Sequence, residues 1–356
     1  MTTQSSVRLP VTVVTGFLGA GKTTLLRELL LHGGQRLAVL VNEFGEVGLD
    51  GALLRSCGFC PEEEIGSRLV ELTNGCLCCT VQDDFLPTMQ QLLERADQLD
   101  GILVETSGLA LPEPLLAALG WPEIRSRTWV NGVVTVVDGA ALAQGSVVAD
   151  PAALEAQRLA DPSLDHLTAI DELFAEQLEC ADLVLVSHGD QLDAAGLERI
   201  QERVTPLVRP GTPLLPMERG GIDPALVLGL AAKQPDGSAA EHLSADDHPH
   251  DGDNHDHHDH THVAMESVAL EWNGELERSS LEAAIRRLCQ EKGIVRVKGR
   301  LWMRGKDRPL VLQAVGPRLE SWFEPAAQPH APGVELVLLG FGLDRHQLEQ
   351  ALIQQP

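Results

Sequence analysis

The sequence predicts an α/β fold: a mainly parallel sheet with helices on both faces, followed by a small α+β domain. Three observations carry this. Short, near-continuous apolar runs rich in β-branched residues alternate with stretches of helical spacing, the pattern of strands buried on both faces. A glycine-rich turn with a Lys-Thr pair joins the first such run to the first helix. The pattern stops near Lys233, gives way to a tract of Asp, His, Gly, Ser and Ala, and recovers at Ala264. At 356 residues the chain is long enough for two domains.

Taken in order, residues 11–15 form the first strand and residues 24–31 the first helix. Residues 37–41, 101–105, 133–137 and 182–186 are further strands, with helical spacing over residues 85–95 and 167–178. This places a first domain over residues 7–232. Residues 233–263 hold almost nothing to bury, so ordering them would not be offset, and a disordered His/Asp-rich linker is expected. In the second domain, residues 264–354, strands are expected over 268–272, 294–303, 309–315 and 334–339. Helices are expected over 281–291 and 345–353.

The turn after the first strand reads Gly16-Phe-Leu-Gly-Ala-Gly-Lys-Thr23, a Gly, four residues, then Gly-Lys-Thr, and it opens a helix. This is the context of a P-loop. Gly16, Gly19 and Gly21 let the backbone turn tightly and aim N–H groups at phosphate oxygens, with Ala20 and Thr24 completing the loop. The helix N-terminus adds positive dipole. Lys22 neutralises the β- and γ-phosphates, and the Thr23 hydroxyl suits Mg²⁺. Glu105 ends a buried strand in Glu105-Thr-Ser-Gly108, where a carboxylate can hold a water on Mg²⁺ and the Gly108 N–H can sense the γ-phosphate. Lys22 and Glu105 are therefore the candidates for catalysis. On the base side, Ser187-His188-Gly189-Asp190 follows another core strand. Asp190 can accept from guanine N1 and N2, beside His188.

Five of the seven cysteines fall between Cys57 and Cys79, which points to metal chemistry in a reducing, cytoplasmic setting rather than to disulfides. Cys76, Cys78 and Cys79 form a compact thiol set, and thiolates favour Zn²⁺, Co²⁺ and Cu(I) over Mg²⁺. Cys76 and Cys78 point the same way in an extended stretch; Cys79 joins them only if the backbone turns. Cys57 and Cys60 read equally well as core cysteines. Residues 242–262 hold eight His and six Asp, a composition that suits weak metal gathering.

With 27 basic and 52 acidic residues, the formal charge of −25 argues against binding nucleic acid. No apolar run is long enough to cross a bilayer, and the polar start shows no secretory signal. Against this acidity, Arg296, Lys298 and Arg300 alternate along one strand, a basic face suited to an acidic partner or to the chain's own acidic linker.

Taken together, Gly16-Phe-Leu-Gly-Ala-Gly-Lys-Thr-Thr24, Asn42-Glu-Phe-Gly45, Gly75-Cys-Leu-Cys-Cys79 and Glu105-Thr-Ser-Gly108 resemble the CobW-type metallochaperone GTPases. The likeness extends to Asp161-Pro-Ser-Leu-Asp165, Val297-Lys-Gly-Arg-Leu-Trp302 and Arg308-Pro-Leu-Val-Leu312. It implies a SIMIBI-class P-loop NTPase domain, a CobW C-terminal domain, and GTP-driven delivery of Co²⁺ to the cobaltochelatase of cobalamin synthesis. Delivery of Zn²⁺ to zinc-dependent proteins is the alternative cargo. It also implies Cys76, Cys78 and Cys79 as cargo ligands, with Glu43 as an extra ligand or Mg²⁺-water contact in a nucleotide-sensing loop over residues 42–50. A homodimer is one assembly open to such a chain. The family commonly has Asn-Lys-x-Asp where this sequence has Ser187-His188-Gly189-Asp190, which weakens the case for guanine preference.

Overall fold

In the computed structural model, residues 8–41, 69–71, 85–160, 170–218, 221–229, 265–324 and 330–353 are described. Strands β1 (Leu9–Thr15), β2 (Leu37–Val41), β3 (Leu69–Glu71), β4 (Gly101–Glu105), β5 (Thr128–Asp138), β6 (Leu183–Ser187) and β7 (Leu214–Pro216) form one sheet. Its order is β3-β2-β4-β1-β5-β6-β7, and every pairing is parallel. The central strands are buried along their whole length because both faces are covered. Helix α1 (Lys22–His32) packs Leu25, Leu26 and Leu29 on one face, together with Val14 and Val136. On the other face, Met89, Leu92 and Leu93 of α2 (Leu86–Glu94) and Leu115 of α3 (Pro112–Leu119) cover Val13, Leu40 and Val104. Parallel strands bring Thr15, Val41, Glu105, Asp138 and Ser187 to one edge, the carboxyl edge where such sheets bind ligands.

The second sheet contains β8 (Glu266–Asn273), β9 (Ile294–Trp302), β10 (Leu310–Val315), β11 (Arg318–Phe323) and β12 (Gly333–Gly340). Its order is β11-β10-β9-β12-β8, antiparallel throughout. One face is covered by Leu281, Ile285 and Leu288 of a helix over Arg278–Glu291, and by Leu348 and Leu352 of another over Arg345–Ile353. The opposite face contributes Val295, Val315 and Leu339 to the core of the first sheet. Among the described residues, no helix is long and apolar enough to cross a membrane.

The expected strands and helices are present with boundaries shifted by a few residues. The largest change is β5, which begins at Thr128 rather than 133 and reaches the second sheet through that added length. The basic face of β9 is a correction. Arg296 is 3% exposed and faces no external partner. Its guanidinium donates to Asn131 Oδ1 at 3.0 and 3.1 Å, to Asn131 O at 3.3 Å, to Val227 O at 3.1 Å and to Leu226 O at 3.3 Å. Asn131 in turn donates to Thr12 Oγ1 at 2.8 Å and to Val227 O at 3.1 Å. Burial pulls the Arg296 guanidinium down to about 10, opposed by the charge of Asp182, so it stays charged at neutral pH. A cation on the carbonyl end of a short helix (Pro224–Leu228) is electrostatically well placed. Arg300 is half-exposed and paired with Glu324 at 2.8 Å.

A second buried link is Asp182, which accepts from the Val133 N–H at 2.8 Å and pairs with both Arg209 and Arg318. Trp129 and Trp322 stack nearby, with ring centroids 5.0 Å apart.

Candidate nucleotide and metal site

At the carboxyl end of β1 the backbone takes positive φ at Gly16 (135°), Gly19 (76°) and Gly21 (104°). A Cβ on Gly16 would lie 2.1 Å from the Val136 carbonyl oxygen, so the loop sits directly against β5 and admits no side chain there. Gly21 is the N-cap of α1 and brings no side-chain cap, and the first turn of α1 contains no acid. The positive end of the helix therefore points at the loop uncompensated by its own residues. The Lys22 ammonium is nearly buried and donates to Phe17 O at 3.1 Å, across the mouth of the loop. Ala20 is buried in the core beneath, and Thr24 is exposed beside it.

Thr23 Oγ1 donates to Glu105 Oε1 at 3.3 Å. The pair forms because β4 lies next to β1 in the sheet, with Val14 opposite Glu105, so the last residue of β4 meets the first turn of α1. A hydroxyl and a carboxylate are both hard oxygen donors, the ligand type that Mg²⁺ takes. The segment after Glu105 is tied back by Thr106, whose N–H donates to Val14 O at 3.0 Å and whose hydroxyl donates to Thr15 Oγ1 at 2.8 Å. Gly108 abuts the P-loop closely: a Cβ there would lie 2.5 Å from Leu18 N.

On the other side, Ser187 approaches Gly21 and donates from Oγ to Val137 O at 3.2 Å. His188 has the one non-glycine positive φ among the described residues, 56°. Its Nδ1 faces Ser187 Oγ at 3.2 Å and Asp138 Oδ1 at 3.5 Å, and its side chain is 44% exposed. The Ser187 hydroxyl already donates to Val137 O, so Ser187 Oγ and Asp138 Oδ1 both offer acceptors to a proton on Nδ1. Asp190 is exposed one turn on.

Gly16, Gly19, Ala20, Gly21, Lys22, Thr23, Thr24, Glu105, Gly108, His188 and Asp190 thus all lie along one sheet edge. Cys76, Cys78, Cys79, Glu43, the loop over residues 42–50, Cys57, Cys60 and the His-rich tract lie outside the described residues. Among the described residues, no three His, Cys, Asp or Glu side chains gather as a metal-ligating group. Sequence reading missed Asp138, which caps the following helix through the Ala141 N–H at 3.0 Å and orients His188. Its signal was available: like Glu105, it is an acid ending an apolar strand.

A model described as the CobW/HypB/UreG nucleotide-binding domain matches residues 10–214. One described as the cobalamin synthesis protein cobW C-terminal domain matches residues 265–354. The chain is 44% identical over 352 residues to a protein of Pseudomonas aeruginosa named zinc chaperone CobW, covering 97% of this chain and 92% of that one. It is 38% identical over 358 residues to a Sinorhizobium protein of the same name, covering 98% and 96%. The zinc chaperone YjiA of Escherichia coli is 27% identical over 355 residues, covering 96% and 97%.

Proposed function

Starting from a chain that belongs to the CobW/HypB/UreG family of GTP-hydrolysing metal chaperones, we propose that it binds Zn²⁺ at Cys76, Cys78 and Cys79 when loaded with Mg²⁺ and GTP. Hydrolysis releases the ion to a cytoplasmic metal-accepting protein. The observation that carries the nucleotide half is the contact of Thr23 with Glu105 at 3.3 Å, beside a glycine loop closed to side chains at Gly16. In this reading Thr23 and Glu105 hold Mg²⁺, which when bound offsets phosphate charge. Lys22 leaves Phe17 O for the β- and γ-phosphates, the Gly108 N–H meets the γ-phosphate, and Asp190 and His188 contact the base. The metal half rests on the compact thiol set, with Glu43 as an added donor, and on the names of two relatives matched over more than nine-tenths of their lengths.

A second reading, Co²⁺ delivered to a cobaltochelatase, is favoured by the cobalamin-synthesis description of the C-terminal domain. Intrinsic affinity orders Zn²⁺ above Co²⁺, so cobalt needs selection by site geometry or supply. A competition titration with Mg²⁺ and GTP present separates the two: Zn²⁺ displacing Co²⁺ supports the first, and retention of Co²⁺ against equimolar Zn²⁺ the second. Replacing Cys76 and Cys78 together with Ser is expected to lower affinity for either metal by about 1,000-fold or more, with GDP affinity unchanged. Isothermal titration of metal and nucleotide on the same variant checks this, and unchanged metal affinity removes the thiols from the site.

A further inference from the structure

We propose that Gln177 is a positioning residue for GTP turnover. Its carboxamide sets the Gly108–Ala110 loop against the P-loop, so that helix α4 (Ile170–Glu179) governs how that loop meets the γ-phosphate. This rests on the reading of Gly108 given above.

Gln177 is 1% exposed on a helix whose neighbouring positions, Leu173, Phe174 and Leu178, are all apolar core. A buried carboxamide is retained where its polar atoms have work that an apolar side chain cannot do. Its Nε2 donates to Gly108 O at 3.2 Å and to Ala110 O at 3.1 Å. Ala110 N–H closes the same turn on Ser107 O at 3.1 Å. In a trans peptide the N–H lies opposite the C=O, so drawing these two carbonyls toward α4 turns the N–H groups of Leu109 and Leu111 away from it.

The same helix also touches the P-loop. Phe174, three residues earlier and therefore on the same face, packs on Phe17 with ring centroids 5.8 Å apart. The backbone carbonyl of Gln177 accepts from Thr135 Oγ1 at 3.1 Å, which ties the helix to β5 one residue before the Val136 carbonyl that confronts Gly16. One helix face therefore holds both loops of the phosphate site at once. Nε2 facing two carbonyls fixes the amide orientation, and Gln177 Oε1 is then buried with no hydrogen-bond partner among the described residues. A carboxamide offers both donors and an acceptor, so Gln177 can release one carbonyl and accept an N–H when a peptide of the loop turns. Leu, Met or Glu at this position can do neither or only half.

The test measures single-turnover GTP hydrolysis, and the affinities for GTPγS and for GDP, on the full chain. Q177M, which keeps length and apolar packing, is expected to lower the hydrolysis rate about tenfold or more and the GTPγS-to-GDP affinity ratio similarly, with GDP affinity within about twofold. Q177E, which sets carboxylate oxygens against two carbonyls, is expected to do worse. Q177N keeps the donors on a shorter arm and is expected to fall between wild type and Q177M; GDP binding reports that each variant is folded. An unchanged rate and ratio in Q177M overturns the proposal. So does an equal loss of GDP and GTPγS affinity with a lowered unfolding temperature, since that is a packing effect. Gly108→Ala separates the two levels. If it leaves the ratio intact, the reading of Gly108 fails and takes this one with it. If it collapses the ratio while Q177M does not, the inference about Gln177 alone is wrong.

Discussion

Gly16→Ala is expected to weaken nucleotide binding by at least about 100-fold, equivalent to about 2.7 kcal/mol. Two independent costs add at this position. The backbone has φ 135°, which an L side chain rarely adopts, and the new Cβ would lie 2.1 Å from Val136 O. That oxygen belongs to a strand held in register with β1, with Thr15 opposite Thr135, so the strand cannot retreat without breaking the ladder under the loop. Gly19→Ala supplies the control. It shares the positive φ, 76°, but its Cβ would meet nothing within 4 Å, so only conformational strain of about 1–2 kcal/mol applies. Fluorescent-GDP titrations of both variants check the order of effects. Equal losses would mean that contact with β5 does not shape the loop.

The second large effect is expected of Arg296→Glu. It replaces a buried cation with an anion among Asn131 O, Leu226 O and Val227 O. The loss is expected at about 3–5 kcal/mol, the cost of leaving buried groups uncompensated, and repulsion adds to it. Because these contacts join the second sheet to β5 and to the helix Pro224–Leu228, the variant should also expose the junction to limited proteolysis. Arg296→Met, which keeps an unbranched apolar stem and brings no charge, should lose less. Arg300→Glu, at a half-exposed pair with Glu324, should cost below about 1 kcal/mol. Thermal unfolding of the three variants checks the ranking; an Arg296→Glu protein as stable as wild type would contradict the role given to this link.

The linkage has a route to the phosphate site. The helix Pro224–Leu228 touches the far end of α1: a Cβ on Gly33 would lie 2.9 Å from Leu228 Cδ1, and Gln35 Nε2 donates to Gly229 O at 3.1 Å. The second sheet therefore rests, through Arg296, on the element that also meets the C-terminal end of the P-loop helix.

The candidate phosphate site was legible in the sequence because its chemistry would be local. Strand, glycine turn, Lys-Thr and helix follow one another within one stretch, and the acid ending β4 follows the same strand-end pattern. The strands of the first sheet were legible because burial on both faces makes them continuously apolar. What was not legible depends on distant residues. Arg296 alternates with Val295 and Val297 like a solvent-facing cation, and only the arrival of Asn131 and Leu226, far back in the chain, buries it. β11 was missed because Arg318-Leu-Glu-Ser-Trp-Phe323 sits at a sheet edge, half-buried and without a clear apolar face. Short edge strands β3 and β7 have too few residues to show a period. Gln177 looked like any polar residue on an amphipathic helix; its worth lies in two carbonyls that the sheet carries to it.

Release of the ion on hydrolysis, as proposed, requires triphosphate and cargo metal to bind as coupled ligands, and coupling is reciprocal. The most direct measurement is GTPγS affinity in excess Mg²⁺, with and without saturating Zn²⁺, alongside GDP. A ~100-fold tightening of GTPγS by Zn²⁺, about 2.7 kcal/mol, with GDP unmoved and the effect lost when Cys76 and Cys78 are Ser, is the expected result. Equal GTPγS affinity in the presence and absence of Zn²⁺ would mean that the nucleotide does not govern metal binding.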